Sequence, residues 1–420
     1  MLAGRSAVRR IQAFDPSSFK CQIAAEIEEF KVSKFVPKWY RKATKVMARD
    51  IALAVAAADQ AARDAGLTTK GTSNDGQAVS HDPTRVGCHI GAGLIAAELD
   101  ELTSALATSR DGDGRFNIRN WGREGMNNLY PLWLLKYLPN MLACHVTIIH
   151  DTHGPSNTIT CGDTSAMLSI GESLRVIQRG AADACFCGGA ESKVNPMAFL
   201  RQYFANRLTP QGNDEPPGAV RPFCRTASGT ALGEGGAIVI LEERVSFERR
   251  AAGRDGGQAY ARVIGFGASQ SVNRATRNLL PEKDGRGIAQ AIKAALREAD
   301  VDPGEIDLVV PFGLALPACD EAEAEAFRKI FGNRLAKIPL VPIKTYVGNC
   351  CAGAAALDVC IAAAALHHQT IPAVINCCEP LEGINAATAP SRPANLKHAL
   401  VVSTGMGGQN AALVLKRFED

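Results

Sequence analysis

The sequence lacks the features that would place the chain in an export pathway, in a membrane or on nucleic acid. Its first ten residues, MLAGRSAVRR, have no apolar core of the kind found in a signal peptide. No apolar run is long enough to cross a bilayer. A net charge of +3 over 420 residues is too small to indicate a nucleic-acid or membrane-surface partner. We therefore expect a cytoplasmic protein with no membrane span and no nucleic-acid partner.

The thirteen cysteines are numerous, yet they lack the spacing of a metal site. There is no CxxC pair and no paired spacing of Cys and His, so we predict no metal centre and no other cofactor. Four of them lie in apolar runs, where a free thiol acts as a small hydrophobe: Cys144, Cys185, Cys187 and Cys360. Reduced, buried thiols are therefore the expected state.

The stretch from Gly154 to Glu191 has the pattern of a strand, a sharp turn, a helix and a second strand. A β-branched run at 156–161 leads to a turn at 162–165, whose Asp, Thr and Ser residues suit a helix N-cap. Apolar residues then recur at helical spacing until Gly180, which predicts the end of the helix. A side chain on such a turn lies where backbone N–H groups favour negative charge, and this lowers the pKa of a thiol nucleophile.

Strands and helices alternate through both halves of the chain, and each half ends in an antiparallel-looking pair around a Gly-rich turn. This order predicts an α/β protein with a weak internal repeat. The charged, Gly-rich segment from Glu248 to Gly257 is the best boundary between the halves. We therefore predict halves at 1–249 and 250–420.

Several motifs resemble those of the β-ketoacyl-ACP synthases, the condensing enzymes of the thiolase superfamily. Gly154-Pro155, Ile170-Gly171 and Gly188 to Glu191 fall in register with that family's pattern GPN, STAC, IG and GGAE. The stretches Arg221 to Glu243 and Ser403 to Leu415 extend the resemblance over nearly the whole chain. It implies the duplicated thiolase fold, with two βαβαβαββ halves stacked in αβαβα layers.

The resemblance also implies partners and raises a question about the N-terminus. Family members act on acyl carrier protein, and the strand at Asn157 to Cys161 resembles the one that pairs across their dimer axis. A homodimer or a heterodimer with an active synthase is therefore expected. The first nineteen residues resemble a segment that, in the family, follows a first strand and helix, so on this resemblance either the first strand is missing or the start was placed too late.

The same register implies that the residues of the condensing reaction are replaced. The position of the family's nucleophilic cysteine is Asp163. The two histidine positions are Phe312, in FGLALPACDEAE, and Asn349, in KTYVGN. The apolar residues around Phe312 replace a polar lining. Lys344 matches a family lysine, and Asp358 stands where its glutamate partner is found, so we predict an ion pair between them.

Cys161 has two interpretations. It is a core thiol on the strand, or a displaced nucleophile two residues before Asp163 that faces the same cavity. Asp163 is a good N-cap residue and a poor nucleophile, since its acyl product would be a labile anhydride. At the family's acyl-gating stretch the chain has Thr404, Gly405 and Met406, which we predict to line a substrate pocket; the alternative for Met406 is a side chain that only fills the core.

Three replacements at once predict a non-condensing protein. The favoured interpretation is a partner subunit that resembles the chain-length factors of polyketide pathways, which pair with an active synthase of fatty acid or polyketide type. One alternative is an active 3-oxoacyl-ACP synthase or acyltransferase that uses Cys161. Others are a malonyl-ACP decarboxylase, against which Phe312 counts, and an acyl-binding scaffold.

Overall fold

The computed structural model describes residues 1–73, 77–252 and 257–419. These residues form twelve strands and eleven α-helices. The strands are β1 (Val8–Arg10), β2 (Ile23–Ala25), β3 (Val86–Gly91), β4 (Ser156–Ile159), β5 (Ala184–Ser192), β6 (Leu232–Glu242), β7 (Ala261–Gln270), β8 (Leu308–Val310), β9 (Thr370–Ile371), β10 (Arg392–Pro393), β11 (His398–Thr404) and β12 (Gln409–Arg417). The helices are α1 (Arg49–Asp64), α2 (Leu99–Ala107), α3 (Ile118–Arg123), α4 (Met141–His150), α5 (Ser165–Gln178), α6 (Pro196–Phe204), α7 (Arg244–Ala251), α8 (Arg286–Ala299), α9 (Pro317–Phe331), α10 (Lys344–Val347) and α11 (Ala354–His368).

The first large sheet has six strands in the order β1-β2-β6-β5-β3-β4. Strand β3 runs parallel to β4 and β5, while β5 and β6 are antiparallel. Every residue of β3 and β5 is buried, which is typical of strands covered on both faces. Strand β4 is the edge of the sheet, and its residues are exposed or half-buried. The element that leads into the predicted turn is therefore an exposed edge of the sheet.

The second large sheet has four strands in the order β7-β12-β11-β8. The predicted pairing of the last two strands is confirmed: β11 and β12 are antiparallel from His398 opposite Lys416 to Thr404 opposite Asn410. The apolar run from Leu340 to Lys344 predicts a further strand from the sequence, and this prediction is wrong. Only one bridge forms there, between Leu340 and Val309, because Pro339 and Pro342 have no N–H to donate to a ladder.

Helices lie outside, between and beyond the two sheets, which confirms the predicted layers. Helix α1 packs on one face of the first sheet, α5 and α11 lie between the sheets, and α8 covers the second sheet. The small residues of the central helices allow close approach. A Cβ atom on Gly171 of α5, for example, would lie 2.3 Å from the Phe266 ring of β7.

The two sheets differ in how much of one long strand, β12 or β6, pairs with its outer neighbour. Strand β7 pairs with β12 along the whole length of β12, from Gln409 to Arg417. Strand β2 pairs with β6 only at Leu232 and Gly233. Beside the remainder of β6 lies a cavity of about 810 Å³ with largely apolar walls, lined by α1, α5, β6 and α11 among others.

One helix, Cys351–His368, is long and apolar enough to cross a membrane by length and composition alone, with a mean hydropathy of 1.4. Our expectation that no run reaches this length was therefore wrong. However, 61% of the helix is buried inside the protein, where it forms the central layer. Composition of this kind is equally typical of a core helix.

The predicted boundary between the halves, residues 249 and 250, lies within α7. The last part of the predicted linker, residues 253–256, lies outside the described residues. The division of the chain at this point stays a prediction.

Candidate functional site

The predicted turn lies between β4 and α5. Strand β4 ends at Ile159, a short 3-10 turn covers Gly162 to Thr164, and α5 begins at Ser165. The Ser165 hydroxyl holds this turn, since it accepts a hydrogen bond from the Cys161 N–H at 2.8 Å and donates one to the Gly162 carbonyl at 2.7 Å. The end of α5 is as predicted, with Gly180 at a φ of 69°.

The Asp163 side chain does not cap the helix, so the N-cap prediction is wrong. Its carboxylate turns into the interior, where the side chain is 2% exposed. The Arg207 guanidinium donates to Oδ2 at 2.8 Å, and the Asn349 amide donates to Oδ1 at 2.9 Å. A buried guanidinium is a stronger partner for a carboxylate than neutral backbone N–H groups. The turn therefore presents a carboxylate whose two oxygens are both occupied.

This pairing controls the charge at the turn. Burial alone raises the pKa of Asp163, but the Arg207 charge and the hydrogen bonds from Asn349 and Arg207 outweigh it and hold the pKa below its usual 3.8. The carboxylate is therefore ionised at neutral pH. Arg207 is itself buried, and it also donates to the Gln202 side chain at 3.0 Å.

Arg207 was missed in the sequence. It lies in the segment after α6, 44 residues beyond Asp163, and no local spacing connects the two. A chemical argument could have predicted a cationic partner for Asp163. A carboxylate in a buried turn needs a cation, because a buried charge without one is costly.

Asn349 follows a short turn that requires glycine. Gly348 has a φ of 64°, and a Cβ there would lie 2.6 Å from the Leu232 carbonyl oxygen. The Asn349 Oδ1 accepts from the Cys351 N–H at 3.0 Å, which directs the amide N–H₂ towards Asp163. Asn349 is therefore positioned as a hydrogen-bond donor to the turn.

Phe312 lies two residues past the end of β8, and it is 2% exposed. It forms an apolar cluster with Leu314 and Cys319, against which Leu280 and Leu316 pack, so the apolar lining predicted here is confirmed. The backbone N–H groups of Phe312 and Gly313 donate to the carboxylate of Glu323 at 2.8 and 2.9 Å. The backbone of this loop is thus fixed from α9, while the side chain offers no polar atom.

The predicted ion pair between Lys344 and Asp358 is confirmed. Their charged atoms are 3.4 Å apart, and each side chain is 1% exposed. Burial raises the pKa of Asp358 to about 6, and the Lys344 ammonium acts in the opposite direction. The same ammonium lies 4.4 Å from the centre of the Phe312 ring.

Cys161 lies past the end of β4, so it is neither on the strand nor fully buried. Burial raises the pKa of its thiol, and no cation among the described residues offsets that rise. The structure thus gives Cys161 none of the environment that produces a reactive thiolate.

The turn between β11 and β12 lies against the same site. A Cβ on Gly405 would lie 3.4 Å from the Cys161 carbonyl oxygen, and the Ser403 hydroxyl donates to the Asp163 carbonyl at 3.2 Å. Thr404 is buried and donates to Asn410 at 2.7 Å, whereas Met406 is half-buried. The structure therefore brings residues 404–406 to the turn that carries Asp163. Their contact with a substrate stays a prediction.

The family is shown by comparison with known proteins. The model of the beta-ketoacyl synthase N-terminal domain matches residues 1–246, and that of the C-terminal domain matches residues 260–378. The arrangement of sheets and helices is that of thiolase-fold ketosynthases. The chain belongs to the β-ketoacyl synthase family.

Two relatives and one solved structure illustrate the similarity. The chain is 32% identical over 423 residues to 3-oxoacyl-[acyl-carrier-protein] synthase 2 of Coxiella burnetii, which covers 100% of this chain and 94% of the relative. It is 30% identical to the Vibrio cholerae protein of the same name, over 99% of this chain and 93% of the relative. The structure of the ishigamide ketosynthase/chain length factor has a TM-score of 0.81 at 26% identity and covers 99% of this chain and 93% of that one.

Proposed function

We propose that this chain is a non-condensing subunit that pairs with an active β-ketoacyl synthase, in the manner of a chain-length factor. The proposal rests on the hydrogen bonding, charge pairing and burial of the Asp163 side chain. Both of its oxygens are hydrogen-bonded, its charge is matched by Arg207, and its side chain is 2% exposed. A nucleophile needs a free, reactive atom, and this carboxylate offers none.

The remaining chemistry of a condensing site is also missing. An enolate formed by decarboxylation needs hydrogen-bond donors placed where its charge develops. Phe312 has no donor, and the Asn349 amide N–H₂ is already bound to Asp163. Lys344 is engaged with Asp358 and the Phe312 ring. The polar groups of the site are therefore bound to one another, and Phe312 gives an enolate no hydrogen bond.

The surface supports a partner subunit. Among the described residues, ten of the nineteen large apolar side chains on the exposed surface fall between Leu94 and Ile148. Concentration of exposed apolar side chains in one segment is typical of an interaction surface. Strand β4 adds an open sheet edge. On that edge the Thr158 N–H donates a hydrogen bond to the side-chain oxygen of its neighbour Asn157, at 2.8 Å. These features suit a dimer, either with a synthase or with a second copy.

An acyl carrier protein is the proposed source of the acyl group, because the name of the Coxiella burnetii relative specifies that substrate. The cytoplasm is the proposed location. The alternative of an acyltransferase that uses Cys161 finds no support in the raised pKa of that thiol.

The test is a condensation assay with acyl and malonyl groups on carrier protein. We expect the purified chain alone to give no product and no acyl-enzyme by intact mass. With its cognate synthase it should co-purify and alter the length of the product. Turnover by the chain alone that is abolished by Cys161→Ala, and kept by Cys144→Ala, would overturn the proposal and make Cys161 the nucleophile.

A further inference from the structure

The outer edge of β6 is a sheet edge that lies between helices. On its inner side β6 pairs with β5 from Glu234 to Glu242. On its outer side β2 pairs only with Leu232 and Gly233, and among the described residues no strand continues that ladder. Helices α1 and α11 pack against β6, and the cavity of about 810 Å³ lies along residues 238–242 of this strand. We call the part of this cavity between α1 and α11 the β6 slot.

The side chains around the β6 slot are apolar and incompletely covered. Val239, Ile240 and Leu241 are half-buried, and so are Ala61 and Ala65 of α1, which line the same space. In the matching strand of the second sheet, β12, residues 411–415 are at most 2% exposed. An exposed apolar patch of this kind is typical of a binding surface.

The second sheet shows which element covers the equivalent edge. There β7 runs antiparallel to β12 from Gln409 to Arg417 and packs against α8. Two glycines of β7 allow this close approach. A Cβ on Gly265 would lie 2.2 Å from the Ala295 carbonyl oxygen, and a Cβ on Gly267 would lie 2.1 Å from that of Ala291. An extended strand with small residues towards the helix therefore fits this position.

Helix α1 has the same surface as α8. When Ile51 of α1 is aligned with Ile288 of α8, the two helices share five alanine positions, which in α1 are residues 52, 54, 57, 58 and 62. Two of them, Ala54 and Ala58, correspond to the alanines that lie against the β7 glycines. The β6 slot therefore has the wall that holds an outer strand in the second sheet, and no described segment of the chain lies in it.

A peptide strand suits the β6 slot better than a lipid does. The outer edge of β6 presents backbone N–H and C=O groups beside apolar walls. Hydrocarbon would cover these polar groups without giving them a hydrogen bond, which is costly. An added strand buries the apolar walls and pairs with the backbone groups at the same time.

We propose that the β6 slot binds an extended apolar segment of another polypeptide, which joins the first sheet as an antiparallel outer strand. The segment has Gly or Ala on the face towards α1. On its other face it has larger apolar residues, in the manner of Val263 and Phe266 of β7, which pack against the core between the sheets. Its length is that of β7, which has ten residues. The inference uses no residue around Asp163 and does not depend on the proposed partner-subunit function.

The test uses the full chain and a synthetic peptide with the β7 sequence, ARVIGFGASQ, labelled with a fluorophore at its N-terminus. Fluorescence anisotropy should show saturable binding. Hydrogen exchange should slow in residues 235–242 when the peptide is bound, and it should not change in β12. The absence of binding, or altered exchange in β12 in place of β6, would overturn the proposal.

Methylation of the peptide backbone tests whether the peptide binds as a strand. Two further peptides carry N-methyl groups on one or the other alternate set of residues. An outer strand turns only one set of its N–H groups towards β6, so only one of these peptides should bind more weakly, by about fivefold for each hydrogen bond lost. The other peptide is the matched control, because its methyl groups face away from the sheet. Equal affinity of the two methylated peptides would contradict strand pairing.

A protein variant locates the binding site. Ala61→Leu narrows the β6 slot and should weaken binding of the parent peptide about tenfold. Ala107→Leu, at the exposed end of α2, should leave binding unchanged. Melting temperatures of both variants identify a folding defect. Unchanged binding by a folded Ala61→Leu protein would overturn the proposal.

The same measurements distinguish the other occupants. Palmitate that displaces the peptide and binds more tightly than it would assign the β6 slot to a small apolar molecule. Slower exchange of residues 235–242 at high concentration of the chain alone, together with a dimer in sedimentation, would assign it to a second copy. Either result would overturn the assignment to another polypeptide.

Discussion

The Lys344 ammonium lies 4.4 Å from the centre of the Phe312 ring, and both side chains are buried. A cation over an aromatic face gains about 2 kcal/mol when water is excluded. Asp358 supplies the opposite charge 3.4 Å away. Phe312 therefore has a physical role at this position, because its ring shields and partly compensates the buried charge of Lys344.

The first prediction concerns the ion pair. Lys344→Met leaves Asp358 buried without its cation, and breaking a buried pair in this way usually costs about 3–5 kcal/mol. Urea unfolding at neutral pH measures the loss. Lys329→Met is the matched control, because its contact with Asp284 is partly exposed and such pairs contribute at most about 1 kcal/mol. A Lys344→Met protein with wild-type stability would contradict the buried pair.

The second prediction is a dependence of stability on pH. Folding raises the pKa of Asp358 from 3.8 to about 6, so the folded state binds this proton more tightly than the unfolded state. The resulting stabilisation is complete below pH 3.8 and is lost as the pH rises through about 6. Relative to Asp358→Asn, the wild type should therefore lose stability across this window and then level off.

Lys344→Met should move that window to higher pH, because the ammonium that lowers the pKa of Asp358 is gone. Chemical unfolding of the three proteins over a pH series checks both statements. Parallel stability curves for wild type and Asp358→Asn would show that Asp358 does not titrate differently in the folded state.

Sequence patterns predicted the elements with strong local signals. The turn after β4, the end of α5 at Gly180 and the β11–β12 hairpin each depend on residues that are close in the chain. The Lys344–Asp358 pair was found only because a family pattern links the two positions. No strand forms at 340–344 despite the apolar composition, because Pro339 and Pro342 have no N–H to donate to a neighbouring strand. Arg207 could not be placed, since its contact with Asp163 depends on how α6 and the following loop pack.

The third prediction tests the Asp163–Arg207 pair. Asp163→Asn and Arg207→Met each leave one buried charge unpaired, and each should destabilise the fold by about 3–5 kcal/mol. The double variant removes both charges and should cost clearly less than the sum of the two. A double-mutant cycle from urea unfolding measures this coupling. Additive losses would mean that the two side chains do not interact.

The fourth prediction concerns association through β4. The Thr158 N–H bonds to its own neighbour Asn157 rather than to β3, so it lies on the free edge of the sheet. Thr158→Pro removes that donor and should disrupt an edge-to-edge dimer while the protein stays folded. Asn157→Ala keeps the backbone donor and should leave association intact. Sedimentation of each protein, alone and with candidate synthases, measures its association state. A wild type that remains monomeric with every candidate would refute the dimer.

The last prediction restores one half of the condensing chemistry. In Asp163→Cys the new thiol lies beside the Arg207 guanidinium, and a neighbouring cation lowers the pKa of a thiol. We therefore expect this variant to accept an acyl group from carrier protein, seen by intact mass, whereas Asp163→Ser and the wild type accept none. Condensation should still fail. Phe312 gives the enolate no hydrogen bond, and the loss of one such donor alone costs about 10²–10³ in rate. Efficient product formation by Asp163→Cys would show that decarboxylation needs neither histidine position, and the reason for the buried Phe312 ring would then have to be sought in packing alone.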